Sequence, residues 1–181
     1  MHIVITRPKE DSFYLIENLI KLGHVVPHLP VIKIQKLKTE KINLLNYQAV
    51  IFTSSNAIKF MNIEKFNSKI KCFCVGKATE LTARQAGFIN TYTSEGTVDS
   101  LIELIIRTLD SKSGKLLYLS SEFISKDLDK DLINAGYSVD RISNYTSIPI
   151  EEVDKKNNRF FCKKTTRCYF YLFFKKCQKF I

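Results

Sequence analysis

The sequence predicts an α/β fold built around a parallel sheet, up to about residue 147. Short β-branched runs alternate with amphipathic helical segments, and this alternation is typical of parallel sheets because parallel strands need a crossover between them. Three helical segments also end at a glycine that is followed at once by a predicted strand: Gly23, Gly87 and Gly136. A glycine in that place takes the left-handed conformation that ends a helix and returns the chain to the sheet.

The predicted strands are short and rich in valine, isoleucine and aromatic residues, as strand propensity requires. They cover residues 2–6, 24–29, 48–53, 69–75, 88–92 and 115–119, and an extended segment follows over 137–150.

The predicted helices begin at residues that can cap or open a helix. Arg7-Pro8 opens the first, because proline fits the first helical turn. Ser54-Ser55-Asn56 and Thr97 precede two others, since their side-chain oxygens accept hydrogen bonds from free backbone amides. The remaining helices are predicted over residues 80–86 and 125–135.

Length and composition are those of an ordinary globular chain. The protein has 181 residues, 45% hydrophobic and 25% charged, which excludes a disordered tail protein and a large multidomain assembly. No run of 18 apolar residues occurs, and the N-terminus lacks the pattern of a secretory signal. We therefore expect a cytoplasmic protein without stable membrane insertion.

The net charge of +10 is concentrated near the C-terminus. Residues 151–181 contain nine of the 28 Lys and Arg residues and three of the 18 acids, so this segment carries +6 and the first 150 residues carry +4. A mildly basic body favours an anionic ligand without requiring one.

The last 23 residues, 159–181, differ from everything before them. They contain eight aromatic residues and no acid, glycine or proline. Such a tail could bind single-stranded nucleic acid by stacking and phosphate contacts, or it could lie on an anionic membrane. We favour a third interpretation, in which an AT-rich gene is translated out of frame. In that case the sequence of the tail was not selected for any structure.

Cysteine and histidine spacing gives weak support for a metal site. Cys72 and Cys74 lie two apart in a predicted strand, so they share one face and are interpreted as core residues. The tail cysteines lack the paired spacing of a zinc site. We predict no metal and no cofactor.

Small hydroxyl-bearing residues follow four of the predicted strands. In parallel sheets ligands collect at these carboxyl ends, where the amides of the next helix face an anion. An anion-binding cleft is one interpretation and plain helix capping is the other. No phosphate-binding P-loop, dinucleotide fingerprint or nucleophile elbow is present in the sequence. The segments concerned are Thr53-Ser54-Ser55-Asn56, 75–79, 94–97 and Leu119-Ser120-Ser121.

Four motifs together resemble the uroporphyrinogen-III synthase family across about 150 residues. They are Ile3-Val4-Ile5-Thr6-Arg7-Pro8, Ile51-Phe52-Thr53-Ser54-Ser55-Asn56-Ala57, Val75-Gly76-Lys77-Ala78-Thr79 and Asn144-Tyr145-Thr146. The resemblance implies a cofactor-free lyase that closes hydroxymethylbilane into uroporphyrinogen III, with loss of water and inversion of the last pyrrole ring.

The resemblance also implies roles for individual residues. Tyr145 matches the family tyrosine that assists the departing hydroxyl by hydrogen bonding; the alternative is a phenol at the edge of an amphipathic strand. Arg7 could meet a substrate carboxylate or could simply be exposed at a helix start. The residues expected to contact the substrate by position are Thr53, Ser54, Ser55, Gly76, Lys77, Thr79, Thr97, Ser120 and Ser121.

Family members have two α/β domains joined by two extended crossings, and the first domain is made from both ends of the chain. By this resemblance residues 1–30 begin domain 1, 31–144 form domain 2, 145–158 are the return crossing and 159–181 are the anomalous tail. The resemblance fades at about Glu151, so domain 1 is expected to be incomplete through truncation or a frameshift. We expect a monomer whose first domain is poorly stable and which is inactive or nearly so as written.

Two rival hypotheses remain. One is a non-catalytic α/β binding domain whose basic tail contacts nucleic acid or an anionic membrane, so that removing residues 159–181 would abolish a salt-sensitive interaction. The other is a doubly wound enzyme that binds a phosphate ligand, for which saturable nucleotide binding would be evidence. The synthase hypothesis instead predicts a polycarboxylate linear tetrapyrrole as substrate and no nucleic-acid partner.

Overall fold

The computed structural model describes residues 1–150 and the strand at 168–171. The chain divides into two compact units. Unit 1 combines Met1–Ile34 with Ser147–Ile181, and unit 2 is Gln35–Thr146. The predictions made for residues 151–167 and 172–181 lie outside the described residues.

The described residues form short strands and helices in alternation, as predicted. The helices are α1 (Lys9–Lys21), α2 (Ser55–Lys59), α3 (Lys77–Gln85), α4 (Val98–Thr108) and α5 (Leu128–Asn134). The strands are β1 (His2–Ile5), β2 (Ile32–Lys36), β3 (Ile42–Asn43), β4 (Ala49–Phe52), β5 (Ile63–Lys65), β6 (Lys71–Cys74), β7 (Thr91–Thr93), β8 (Leu116–Ser121), β9 (Val139–Pro149) and β10 (Cys168–Tyr171).

The central sheet confirms the predicted α/β class. Its strand order is β2-β9-β8-β4-β6-β7, and β4 pairs in parallel with both β6 and β8. The chain therefore runs outward from β4 through β6 and β7, then returns to the other side of β4 as β8 and continues to β9. This reversal creates a topological switch point between β4 and β8, the place where doubly wound sheets bind ligands.

Helices cover both faces of this sheet. On one face, α4 and α5 bury Leu101 and Leu128 against Ile51 and Phe73. Successive strand residues point to opposite faces, so Phe52 faces the other way, where its ring contacts Phe88 at a centroid distance of 5.7 Å. Burial on both faces explains why these strands are almost wholly apolar.

Unit 1 is built around β1. The segment from Val25 to Val31 runs beside it, with Ile3 N donating to Val25 O at 2.9 Å and Leu29 N donating to Ile5 O at 2.8 Å. Strand β10 pairs with β1 in parallel, so four residues of the tail take part in this unit. Several apolar side chains of α1 stay exposed, among them Phe13 at 50% and Ile20 at 55%.

The glycine predictions are confirmed, whereas some boundaries are wrong. Gly23, Gly87 and Gly136 have φ values of 79°, 99° and 89°. The predicted strand at 24–29 is reduced to isolated bridges at Val25 and His28, because the prolines at 27 and 30 cannot donate to a ladder.

Further boundaries were also predicted wrongly, among them that of β7, which covers Thr91–Thr93 and not 88–92. Strand β8 runs through Ser120 and Ser121, predicted as a turn, because β9 continues to pair with it at Ser143 and Tyr145. Helix α3 begins at Lys77 directly after its cap Gly76, and α5 begins three residues later than predicted. Strands β2, β3 and β5 were not predicted.

Candidate active site at the carboxyl edge of unit 2

The switch point places Thr53 beside a tyrosine of the neighbouring strand. Thr53 directly follows β4, and its Oγ1 lies 3.2 Å from the phenolic oxygen of Tyr118 in β8. Tyr118 is only 2% exposed, so the hydroxyl pair bridges the two strands at their partly buried ends. Tyr118 was not singled out from the sequence, because a tyrosine in an apolar strand is indistinguishable there from a core residue.

Tyr145 lies one strand further along the same edge. It is buried at 7% exposure, pairs with Ser121 of β8, and its ring centroid is 6.5 Å from that of Phe60. The backbone amide of Glu122 donates to the carbonyl of Tyr145 at 2.8 Å. Tyr145 and Thr53 therefore flank β8 on its two sides at the carboxyl edge.

The surroundings of Tyr118 shift the pKa of its phenol. Burial raises the pKa of Tyr118, while the hydrogen bond with Thr53 and then the charge of Arg141 oppose that rise; Tyr145 adds a smaller increase. Because raised phenol pKa values keep the hydroxyl protonated, Tyr118 retains a proton to donate at neutral pH.

Ser120, one of the predicted contacts, is turned into the protein at this edge. Its side chain is fully buried, its Oγ accepts from Arg141 Nε at 2.9 Å, and it donates to the carbonyl of Ser121 at 3.0 Å. The hydroxyl is therefore used inside the protein, because β8 extends further than predicted and turns Ser120 inward. The half-buried Ser121 remains at the edge.

The turns after β6 and β7 form a second part of the same edge. A Cβ added to Gly76 would lie 3.9 Å from Cα of Gly96, so the two turns approach closely. Thr97 Oγ1 accepts from Ser100 N at 3.1 Å and Ser54 Oγ accepts from Asn56 N at 3.2 Å. Both hydroxyls thus cap helices, which is the second interpretation given for these segments. Ser55 begins α2 and is half-buried.

Lys77 and Thr79 lie in the first turn of α3. Thr79 is buried at 6% exposure, whereas the side chain of Lys77 is 75% exposed and pairs with Glu80 at 2.8 Å. Hydrogen bonds from Lys77 and then Arg84 lower the pKa of the buried Glu80 carboxyl to about 2. The carboxylate is thereby neutralised by its own neighbours, so the first turn of α3 does not repel an anion.

Arg7 is the one predicted contact that belongs to unit 1. Its side chain is exposed, and its carbonyl accepts a hydrogen bond from His28 Nε2 at 2.8 Å. The other predicted residues all belong to unit 2.

No metal-binding cluster was found among the described residues. Cys72 and Cys74 are both buried, with sulfur atoms 3.8 Å apart, and their hydrogen bond, followed by burial, raises the pKa of the Cys72 thiol. Protonated thiols are poor metal ligands, which agrees with the predicted core role. Within residues 1–150 and 168–171, no helix is long and apolar enough to span a bilayer.

Comparison with known proteins gives a family and several relatives. The family model described as uroporphyrinogen-III synthase HemD matches residues 14–174. The match begins after the first of the four motifs and continues beyond Glu151 into the tail. The porphyrin biosynthesis protein HemD of Ruminiclostridium josui is 26% identical over 168 residues, covering 85% of this chain and 33% of the relative. The chain thus spans about a third of the length of this curated relative.

Two solved structures share the fold. Uroporphyrinogen-III synthetase from Helicobacter pylori 26695 is 17% identical, with a TM-score of 0.59 over 90% of this chain and 68% of that one. A mutant uroporphyrinogen III synthase from the extremely thermophilic bacterium Thermus thermophilus is 15% identical, with a TM-score of 0.55 over 83% and 64% of the two chains.

Proposed function

The chain belongs to the uroporphyrinogen-III synthase family, and from that membership we propose that it carries the substrate site of the reaction that cyclises hydroxymethylbilane to uroporphyrinogen III, with little turnover by the chain as written. The observation that carries the proposal is the grouping of Thr53, Tyr118, Ser121 and Tyr145 along adjacent strand ends at the switch point of unit 2. This edge suits a substrate with eight carboxylates, because it combines hydroxyl donors with helix amides and because the buried Glu80 carboxylate is already paired with Lys77 and Arg84.

The reaction proposed here loses one water and needs no oxidant or reductant. Pyrrole electrons expel the hydroxyl group, so the C–O bond breaks and the oxygen leaves with a proton as water. Inversion of the last pyrrole requires its substituted α-carbon to bond to the carbon that lost the hydroxyl and the bond from that α-carbon to the neighbouring methylene bridge to break. The methylene carbon then bonds to the free α-carbon of the same pyrrole, which gives up its proton to solvent. We assign Tyr145 as the hydrogen-bond donor to the departing oxygen, and the other edge residues to holding the substrate in a folded shape.

We further propose a monomeric cytoplasmic protein with no nucleic-acid partner. Low turnover by this chain is also part of the proposal. The exposed apolar side chains of α1 and its C-cap, including Tyr14 at 80% and Leu22 at 71%, support weak packing of unit 1. In a cyclisation assay, the fraction of product with the inverted ring should therefore stay near that of the reaction without protein.

Calorimetric titration of the 181-residue chain with uroporphyrinogen III, kept anaerobic, tests the proposed ligand class. We expect saturable binding of one ligand per chain and no saturable binding of ATP or a thymidine oligonucleotide. A variant with Lys163, Lys164, Lys175 and Lys176 replaced by Gln should bind equally well, because the site lies in unit 2 and β10 is left unchanged. Absence of tetrapyrrole binding, or its loss in the four-lysine variant, would contradict the proposal.

A further inference from the structure

Arg141 reaches from β9 to the end of β8 and makes three hydrogen bonds there. Its Nε donates to Ser120 Oγ at 2.9 Å. Its Nη2 donates to the carbonyl of Ser121 at 3.0 Å and to the carbonyl of Glu122 at 3.1 Å. Arg141 is half-buried, so these bonds are only partly exposed to competing water.

These bonds lie at an irregularity in the strand pairing. The register between β8 and β9 shifts between Ser120 and Ser121, so that Ser120 lies opposite Ser143 and Ser121 lies opposite Tyr145 instead of Asn144. After the shift, Ser121 still pairs with Tyr145, and Glu122 N donates to Tyr145 O at 2.8 Å. A bulge locally disrupts the ladder of hydrogen bonds, and Arg141 adds two hydrogen bonds to backbone carbonyls of β8 and Glu122 and one to the Ser120 side chain.

We propose that Arg141 is a positioning residue that fixes the end of β8 against Tyr145. The guanidinium spans one side-chain oxygen and two successive carbonyls, which holds Ser121 and Glu122 in the shifted register. Tyr145 is thereby held at a fixed place relative to Thr53 and Tyr118 across β8. The ligand part of this inference rests on the proposed function, whereas the positioning part does not.

The geometry requires arginine rather than any cation. Nε and Nη2 donate from fixed positions in one rigid plane, and a lysine ammonium at the end of a flexible stem cannot reproduce both. Arg141 also places a positive charge near Tyr118, where it offsets part of the pKa rise caused by burial. Loss of the Arg141 charge should therefore also change the resonance of the Tyr118 phenol.

The test uses tyrosine labelled with 13C at Cζ, together with backbone amide spectra, in the ligand-free 181-residue chain. In Arg141→Met and Arg141→Lys we expect shifted resonances for Tyr145 and Tyr118 and faster hydrogen exchange at the Glu122 amide. Ser120→Ala should give a smaller change of the same kind. Arg107→Met removes an equal charge from an exposed site on α4 and should leave these signals unchanged.

A second readout is the affinity for uroporphyrinogen III. We expect about tenfold weaker binding in both Arg141 variants, the size expected when charge-assisted hydrogen bonds are lost. Unchanged Tyr145 and Glu122 signals in Arg141→Lys and Ser120→Ala would overturn the positioning role, even if Arg141→Met did not fold. If the wild-type chain bound no tetrapyrrole, the proposed function would fail, and the ligand-free spectra would still decide the role of Arg141.

Discussion

Replacement of Phe73 by alanine is expected to lower the free energy of unfolding of unit 2 by about 3–5 kcal/mol. Phe73 is fully buried in the cluster that joins β4, β6 and β8 to helices α4 and α5. Its ring stacks on Tyr92 with centroids 5.0 Å apart and planes 18° apart. Truncation would leave a cavity within this cluster. The cavity cannot close without disturbing the parallel pairing of the strands.

Urea denaturation followed by circular dichroism measures this loss. Because a domain is stable by only about 5–15 kcal/mol, the variant should unfold at a much lower urea concentration. Phe123→Ala is the matched control, since Phe123 is 61% exposed, and its effect should stay within about 0.5 kcal/mol. A loss below about 1 kcal/mol for Phe73→Ala would show that the sheet does not pack as described.

Replacement of Thr53 by aspartate is expected to weaken binding of uroporphyrinogen III at least about tenfold, because like charges brought together cost several kcal/mol. An aspartate oxygen can still accept a hydrogen bond from Tyr118, which lies 3.2 Å from Thr53 Oγ1. The substitution therefore adds a negative charge at the switch point while keeping the link between β4 and β8.

Two controls separate charge from packing. Thr53→Val keeps the shape and removes the hydroxyl, so we expect a smaller loss of affinity, about that of one hydrogen bond. Ser113→Asp adds the same charge in the exposed loop before β8, at the opposite edge of the sheet, and should leave the affinity nearly unchanged. Equal affinities of Thr53→Asp and Ser113→Asp would remove Thr53 from the site.

The class of fold followed from local patterns that carry a physical requirement. Gly87 and Gly136 were predictable as helix ends because only glycine adopts their positive φ values easily. The capping role of Thr97 was predictable as well, because threonine is a common helix cap. Its hydroxyl does accept from Ser100 N. Such features depend on a few neighbouring residues and are therefore visible in the sequence.

The rest of the site depends on partners distant in sequence. Ser120 looked like an exposed turn residue, yet it is buried because β9 pairs alongside it and Arg141 binds its hydroxyl. Tyr118 looked like core until β4 placed Thr53 next to it. Both outcomes require the strand order, which brings residues about 20 and 65 positions apart into contact, and no local pattern encodes that order.

The most direct test of the account is a titration of the 15N-labelled 181-residue chain with uroporphyrinogen III, with binding mapped onto the backbone amides. We predict that the shifted amides lie at the carboxyl edge of unit 2, around Thr53, Gly76, Thr97, Ser121 and Tyr145. The amides of Ser113, Lys115 and Asp140, at the opposite edge, should stay in place. Shifts confined to that opposite edge or to residues 159–181 would contradict the assignment of the site.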